Sequence, residues 1–415
     1  MRAVRPLTPL VAPLIVAVVP WLVWPGCDDP FSTPKRAAIA VAAVLLWAIV
    51  ARRPPAPGSG HRGITVIDVT ALAWIATFVL SALLSDTASP AAVGLGLAGP
   101  AWALALARAA PRATLMVRAM LVTATGIAIL ALAQWLGADP FRAAGWAPDV
   151  AGGSQRLRVY ATLGNPNFVA AWLAMHLPLS ANAARAGRGS LSRAAGLLSA
   201  LVLLAAVAAT GSRGGALGAA AGLTTWVLWA RVVRPVAAVG AAVALIGVLA
   251  WLSPARVLPE TAAGRFYILM VAWPHAVDRP GLGYGPGAFQ QHYPAWEQEG
   301  RKSRRLPQGL IHRFAGPQAH AHNDYLQALI ERGLPGLATL LLAIAVPLWA
   351  ATRRRGAGLA AGPGEANRAA LAGAVAAMAA CALVDFPFQR PAETFTFWTV
   401  SALLARDAAA HADSG

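Results

Sequence analysis

Two histidines, an amide and a carboxylate stand together at the start of one long apolar run. His320, His322, Asn323 and Asp324 fall within five residues, and the largely apolar run 325–351 follows at once. Ionisable side chains at the edge of a membrane-spanning helix are costly, so they usually face a cavity and act there. Histidine is the side chain best suited to exchange a proton near neutral pH. We therefore predict that His322 carries the chemistry of this protein.

The same residues allow other interpretations. His322 could cap or anchor the helix that follows it. His320 and His322 could form a metal pair, but an i, i+2 spacing does not place two side chains on one helix face, and no third ligand is evident. We therefore predict no metal site. If His322 is a base, Asn323 or Asp324 could fix its tautomer, which a base requires.

Two arginines lie in segments that we expect on the same side of the membrane as His322. Arg213 occupies a glycine-rich turn at 210–215, and Arg265 lies in a long polar segment that ends at His322. Glycine permits close approach of a ligand to the backbone, and guanidinium forks bind phosphate oxygens bidentately. This set predicts a site for a phosphorylated substrate. Arg213 could instead snorkel at a helix end, and Arg265 could be an ordinary surface residue.

Two further features are ambiguous in the sequence. Asp385 lies in a Val-Asp-Phe-Pro segment and could orient a histidine base or pair with Arg390. Glycines alternate through residues 281–287 in a way that suggests a phosphate-binding loop. The strand, helix and lysine of a nucleotide loop are not present there, so we interpret this segment as a flexible turn.

The composition identifies a membrane protein. The chain has 415 residues, of which 57% are hydrophobic and only 12% charged, whereas soluble domains carry about twice that charged fraction. The formal net charge of +17 lies mainly in short basic clusters between apolar runs. Basic residues in such places set membrane orientation, so we predict no nucleic-acid partner. The two cysteines indicate neither a disulfide framework nor a metal cluster.

We predict an all-α, polytopic membrane protein with about twelve transmembrane helices, because each crossing needs roughly 17–25 apolar residues. The basic clusters alternate so that both termini are expected in the cytoplasm. The first apolar run is expected to stay as an uncleaved helix, since it lacks a small-x-small cleavage site. The predicted spans are 7–24, 37–51, 66–84, 90–107, 113–136, 168–184, 193–210, 216–230, 235–252, 325–351, 368–384 and 392–405.

Residues 1–415 are expected to form a single domain with one insertion, because no period of about 20–50 residues repeats along the chain. Residues 253–322 are predicted to form a long extracytoplasmic loop between spans nine and ten, and their aromatic content favours an ordered loop. A second outside loop, 137–167, carries Arg156, Arg158 and a Gly-Asn-Pro-Asn motif. Both loops would lie on the side of the membrane where we place the site.

The order of these motifs resembles the O-antigen ligase and polymerase superfamily of bacterial envelope glycosyltransferases. The resemblance spans roughly residues 20–405. Its most specific part is the His-Asn-Asp-Tyr-Leu sequence at 322–326, followed by Glu331, Gly333 and Gly336. The supporting motifs are Gly164-Asn-Pro-Asn167, Ser212-Arg213-Gly214, Gly264-Arg265, Gly283-Tyr-Gly285-Pro-Gly287 and Asp385-Phe-Pro387.

The resemblance implies a multi-pass enzyme of the bacterial inner membrane whose active site faces the periplasm and which needs no metal, nucleotide or other cofactor. Such enzymes move a glycan from undecaprenyl pyrophosphate to an acceptor sugar, among the surrounding membrane lipids. By match of motif, Arg213 and Arg265 would hold the pyrophosphate, and His322 would activate the acceptor hydroxyl in a displacement that inverts the anomeric centre. The residues assigned to substrate binding besides these two arginines are Asn323, Asp324, Arg156, Arg158, His320 and Asp385.

The predicted function is that of an O-antigen ligase, whose acceptor is the lipid A-core oligosaccharide. The alternative is a polymerase, which joins lipid-linked repeat units, because the His-Asn motif does not separate the two activities. A lipid-glycan transporter is a third interpretation, but the chain has no inverted repeat and few ionisable residues in the middle of its apolar runs. The basic run 301–305 and His320 have no role that the resemblance explains.

Overall fold

The computed structural model describes residues 8–52, 64–145, 159–187, 189–232, 258–352 and 363–409. Every regular element within these ranges is a helix, so the predicted all-α class is confirmed for them. Short 3₁₀ turns occupy Val19–Trp21 and Pro387–Gln389. The helices are α1 (Thr8–Val18), α2 (Thr33–Ala51), α3 (Val66–Leu83), α4 (Pro90–Ala109), α5 (Ala113–Trp135), α6 (Pro140–Ala143), α7 (Pro166–Ala186), α8 (Ser190–Thr210), α9 (Arg213–Trp229), α10 (Leu258–Ala276), α11 (Ala288–Lys302), α12 (Gln308–Phe314), α13 (Asp324–Thr352), α14 (Pro363–Ala382) and α15 (Pro391–Ala409).

Helices occupy eleven of the predicted apolar runs, with ends that differ by a few residues. The remaining run, 235–252, lies outside the described residues. Among the described helices, six are long and apolar enough to cross a membrane: α2, α3, α4, α5, α8 and α13. The chain is therefore a membrane protein, while the count of twelve crossings and the orientation of the termini stay predictions.

The centre of the helical bundle is formed by α7, α9 and α14, which pack closely through small residues. A Cβ added at Gly215 would meet the Cβ of Ala170 at 2.2 Å, and one at Gly218 would meet Sγ of Cys381 at 2.4 Å. Small residues let helix backbones approach in this way inside membranes. Because nearly all of α7 is enclosed by protein, it can carry buried polar side chains such as His176 and Asn182. This explains why α7 is less apolar than the lipid-facing helices.

The long helix α13 is interrupted at Gly333, whose φ of 65° and ψ of −163° are not helical. The interruption exposes backbone carbonyls, and the glycine-rich turn satisfies them: the N–H groups of Tyr284 and Gly285 donate to the oxygens of Ile330 and Glu331, each at 2.9 Å. Buried backbone polar groups require such partners. The turn is thus fixed by hydrogen bonds to a broken helix, and our interpretation of it as a flexible turn is wrong.

The described part of the predicted outside loop, residues 258–322, contains α10, α11 and α12 around a small apolar core. Aromatic side chains from these helices pack on one another, and Leu326 and Ile330 of α13 complete the cluster. The segment is therefore ordered, as its aromatic content favours. The core joins this subdomain to the start of α13 and so holds Arg265, which lies on α10, near the histidines. The buried aromatic members are Tyr267, Tyr284, Phe289, Tyr293 and Trp296.

The topology can be tested by cysteine labelling. In a Cys27→Ser background, a cysteine at Ser303 should react with a membrane-impermeant maleimide in intact spheroplasts, whereas a cysteine at Gly356 should react only after permeabilisation. Ser303 is exposed at the end of α11, and the native Cys381 is fully buried. Gly356 lies outside the described residues and is chosen for its neighbouring arginine cluster. Labelling of Gly356→Cys in intact spheroplasts would contradict the predicted topology.

Candidate functional site

His322 occupies the junction between the α10–α12 subdomain and α13, in an unusual backbone conformation. Its φ is 51°, in the left-handed region that residues other than glycine seldom adopt. The next residue, Asn323, caps α13 by accepting a hydrogen bond at Oδ1 from the N–H of Leu326 at 2.9 Å. The imidazole is half-buried, with 28% of the side chain exposed. Strain at one histidine in a partly open position is typical of functional sites.

Asp385 is the carboxylate nearest the imidazole of His322. Its Oδ1 lies 3.8 Å from Nδ1 of His322, and that nitrogen is buried without a hydrogen-bond partner among the described residues. Catalytic hydrogen bonds are often long before substrate binds. If the two side chains moved slightly closer, Nδ1–H of His322 could donate to Asp385. Nε2 would then be left as the proton acceptor. The side chain of Asp385 is only 5% exposed, which limits competition from water.

Asn323 and Asp324 position the site and do not contact His322 through their side chains. Nδ2 of Asn323 donates to the carbonyl oxygen of Leu383 at 3.0 Å. Oδ2 of the buried Asp324 accepts from the N–H of Phe388 at 2.8 Å, and its Oδ1 accepts from Nε2 of Gln389 at 3.3 Å. These hydrogen bonds join the start of α13 to the turn that carries Asp385. The expected contact of either residue with the base is therefore not present.

Arg213 and Arg265 come together from distant parts of the chain. Arg213 is the first residue of α9, and the preceding Ser212 caps that helix by accepting from the N–H of Gly215 at 3.2 Å. Burial lowers the pKa of Arg265, the negative charge of Asp385 opposes that effect, and the positive charge of Arg213 adds to it. The three side chains therefore lie within electrostatic reach of one another. The N-terminal N–H groups of α9 add positive potential at the same place.

The imidazole of His322 is held in its neutral form. Burial lowers its pKa to about 4, and the nearby positive charges of Arg265 and Arg390 contribute to that fall. Near pH 7 the ring can therefore accept a proton, as a general base must. The predicted catalytic residues Arg213, Arg265 and His322 thus form one cluster with Asp385, on the side of the bundle where α9 begins and α14 ends.

His320 and His322 contact the same phenyl ring. The imidazole of His320 stacks on Phe386 with centroids 4.2 Å apart, and the ring of His322 meets Phe386 edge-on at 4.9 Å. Nδ1 of His320 lies 3.2 Å from Nε2 of the buried Gln327. Burial, together with the charges of Arg390 and His322, lowers the pKa of His320 to about 3. His320 therefore supports the aromatic ring on which the site is built.

One site residue was not predicted from the sequence, and two of the predicted ones lie outside the described residues. Arg390 was considered only as a partner for Asp385, yet its guanidinium stacks 3.8 Å from the ring centroid of Phe168 and 4.6 Å from that of Phe386. Its position three residues after the Asp-Phe-Pro motif was the available signal. Arg156 and Arg158 lie outside the described residues. Within those residues, no group of three or more His, Cys, Asp or Glu side chains is arranged to hold a metal ion.

One comparison with known proteins gives a match. Residues 198–341 match the family model described as O-antigen ligase. The matched range includes Arg213, Arg265 and residues 320–324, and it ends before Asp385 and Arg390. The curated proteins contain no match to the chain.

Proposed function

We propose that this membrane protein is a glycosyltransferase, because residues 198–341 match the family model described as O-antigen ligase. It transfers a glycan from undecaprenyl pyrophosphate to the lipid A-core oligosaccharide at the periplasmic face of the bacterial inner membrane. The observation that supports this most directly is the cluster of two arginines and a neutral histidine around Asp385. That set matches a reaction with an anionic leaving group and a hydroxyl nucleophile.

In the proposed reaction, the acceptor hydroxyl oxygen attacks the anomeric carbon of the donor sugar. The bond from that carbon to the pyrophosphate oxygen breaks, and the hydroxyl proton passes to Nε2 of His322. Arg213 and Arg265 stabilise the negative charge that builds on the departing undecaprenyl pyrophosphate. Fixed cations in a water-poor site are effective there because they need no reorganisation during the step. A single displacement of this kind inverts the anomeric centre.

Asp385 has a positioning role in this scheme. Once His322 takes the proton, the imidazolium is stabilised by a carboxylate 3.8 Å away. Burial raises the pKa of Asp385, while Arg265, the N–H of Phe386 and Arg390 oppose that rise. The two arginines thus help to keep the carboxylate ionised. A charged Asp385 holds Nδ1–H toward itself and directs Nε2 toward the acceptor.

The pH dependence of transfer should show a base with a lowered pKa. A lowered pKa means that His322 stays neutral as the pH falls through 6.5, and that it is protonated only near pH 4. We expect kcat/KM to be retained at pH 6 and to fall toward pH 4, because the free enzyme sets this profile. The measurement is kcat/KM between pH 4 and 8, with thermal unfolding at each pH to verify the folded state. A fall in kcat/KM on the acid side with an apparent pKa of 6.5 or above would contradict the interpretation of His322 as a buried, neutral base.

The proposed function is tested with purified protein, an undecaprenyl pyrophosphate-linked glycan and lipid A-core, in EDTA because the scheme uses no metal. Transfer to the core supports the ligase, and no transfer under these conditions counts against it. In cells, deletion of the gene should remove every ladder band of lipopolysaccharide and leave the core intact. A core that carries a single repeat would indicate the polymerase instead. Donor that accumulates in the cytoplasmic leaflet would indicate a transporter.

A further inference from the structure

The surface of α10 that faces away from its neighbours is apolar. From residue 262 to the residue that follows this helix, every exposed position carries an apolar side chain: Ala262, Phe266, Leu269, Trp273 and Val277. Successive members are three or four residues apart, so they lie in one row along the helix, the α10 stripe. The four large side chains are between 40% and 62% exposed. Single exposed apolar side chains are ordinary, whereas a contiguous row of them marks an interaction surface.

The opposite face of α10 is also apolar. Tyr267, Ile268, Val271 and Ala272 are buried in the core of the α10–α12 subdomain. A helix that is apolar on all sides needs cover on all sides. The subdomain covers only one of the two faces of α10, so the α10 stripe requires a second apolar partner.

The neighbouring helix α11 shows that the stripe is specific to α10. Most of the exposed positions of α11 are polar or charged, among them Gln290, Gln291, Gln298, Glu299 and Lys302. This is the ordinary pattern of a helix with one face in water. Because the two helices belong to one subdomain, its two surfaces are suited to different surroundings, with water at α11 and an apolar phase at α10.

The apolar run of α13 marks the boundary of the hydrocarbon layer. The eighteen residues from Leu334 to Ala351 include no charged side chain, and α13 is long and apolar enough to cross a membrane. At 1.5 Å per residue the run extends about 27 Å, close to the thickness of about 30 Å of a hydrocarbon layer. Glu331 and Arg332 precede this run. Leu334 therefore lies near one surface of the hydrocarbon.

The end of the α10 stripe is fixed at this boundary. The carbonyl oxygen of Pro280 accepts a hydrogen bond from the N–H of Leu334 at 2.8 Å. Pro280 is three residues after Val277, so the Cα atoms of these two residues are at most about 11 Å apart. Leu334 is itself 58% exposed. Val277 thus lies close to the exposed apolar surface of a helix that can cross the membrane.

Helix α3 gives the same level independently. Its apolar run ends at Leu83 and Leu84, which are 75% and 74% exposed. Oγ of Ser81 lies 2.7 Å from the carbonyl oxygen of Leu282. The turn that follows α10 is therefore hydrogen-bonded to two helices, α3 and α13, at the point where the apolar run of each reaches its end. Both of these ends lie at the same surface of the bilayer.

We propose that the α10 stripe is embedded in bilayer lipid, so that α10 is an interfacial helix which anchors the α10–α12 subdomain to the membrane. The stripe extends about 16 Å from Phe266 to Val277. A helix that lies along the boundary places this whole length in the upper acyl region, as interfacial helices do. Trp273 has the side chain that favours this zone. Lipid is the occupant because the end of the stripe adjoins the exposed leucines of α3 and α13.

This inference goes beyond the proposed function, since it concerns the surface that holds the subdomain and would stand whatever the chain transfers. The inference has one consequence for the site. Arg265 precedes Phe266 on α10. An interfacial α10 therefore keeps this guanidinium near the level of the headgroups, where the phosphate groups of any lipid-linked substrate lie.

The test measures which phase surrounds the stripe. Purified full-length protein with Cys27→Ser is placed in nanodiscs of phosphatidylethanolamine and phosphatidylglycerol, with one chain per disc. The native Cys381 is fully buried and stays unlabelled. A nitroxide label is attached at Phe266→Cys or at Trp273→Cys. Electron spin relaxation is then compared in the presence of oxygen, which enters the acyl region, and of a water-soluble nickel chelate, which does not.

Two further positions provide the references. Gln298→Cys on the exposed face of α11 reports water, and Leu341→Cys on the exposed face of α13 reports lipid. Labels at Phe266 and Trp273 should show roughly tenfold lower nickel accessibility than the label at Gln298, because a polar chelate is excluded from acyl chains. Their oxygen accessibility should be close to that at Leu341. Leu269→Cys offers another stripe position if either variant does not fold.

Three outcomes would overturn the proposal. Nickel accessibility equal to that of Gln298→Cys would place the stripe in water. Low accessibility to both reagents would mean that protein covers the stripe. In larger discs that hold two chains, spin–spin broadening between stripe labels would identify a second copy as the partner. Thermal unfolding of each labelled variant verifies the folded state, and none of these outcomes alters the proposed transfer reaction.

Discussion

Replacing His322 with asparagine should lower glycan transfer by about 10²- to 10⁴-fold, the range that general-base catalysis supplies, and should leave donor binding intact. His322 is neutral near pH 7 because burial and two arginines lower its pKa to about 4, so it is ready to accept the hydroxyl proton. Asparagine has no group that can do so. The donor's pyrophosphate is assigned to Arg213 and Arg265, which this change does not touch.

Asparagine is the informative substitution because of the backbone at this position. With φ at 51°, an alanine would add left-handed strain that asparagine tolerates better. A loss of transfer in His322→Ala therefore combines chemistry with backbone strain, whereas His322→Asn tests the chemistry. The measurements are kcat, donor affinity and thermal unfolding of each purified variant.

His312 provides the matched control for this experiment, since it is an exposed histidine on α12. His312→Asn should transfer at the wild-type rate. His320→Asn should affect thermal unfolding more than kcat, because His320 stacks on Phe386 and bonds Gln327 inside the protein. Transfer near the wild-type rate in His322→Asn, or a loss of donor binding as large as the loss of transfer, would show that His322 is not the base.

Replacing Arg213 or Arg265 with lysine should lower transfer by about 10²-fold or more, because each arginine is assigned to the charge that builds on the leaving group. Lysine keeps the positive charge and loses the two-pronged hydrogen bond to phosphate oxygens. Donor affinity should fall together with turnover. This is the opposite of the His322→Asn result, in which donor binding is retained, so the two predictions separate binding from proton transfer.

The arginine variants are compared at equal amounts of folded protein in the membrane. Arg305→Lys is the control, since Arg305 is exposed on the α10–α12 subdomain and paired with Glu299. It should transfer normally. If Arg213→Lys and Arg265→Lys both keep near-normal transfer and donor affinity, the arginines have only structural roles, such as the snorkelling that we weighed for Arg213.

The helices and the class of protein could be predicted because they depend on local patterns. A bilayer requires about 20 apolar residues in succession, and such runs can be identified one at a time in the sequence. Helices α3, α4 and α5 begin and end within two residues of the predicted spans. Helix α7 begins at Pro166, directly after its cap Asn165 and two residues before the predicted run 168–184.

The interruption in α13 and the role of the glycine-rich turn could not be read from either segment alone. Gly333 is one glycine among several in apolar runs. Its significance comes from a turn about fifty residues earlier, whose N–H groups complete the hydrogen bonds that the broken helix leaves open. Hydrogen bonds between distant segments depend on how the helices pack, and no local pattern encodes them.

The sequence by itself determined that this is a helical membrane protein and that His322, Arg213 and Arg265 are candidates for one site, because residue type and spacing limit the chemistry available. Only the tertiary structure decided which carboxylate lies beside the base. Asp385 lies 3.8 Å from His322, while the adjacent Asp324 is turned toward Phe388 and Gln389. It also decided that Arg390 is stacked beside the histidines. The physical reason is that a side chain's partners are set by packing between helices distant in sequence.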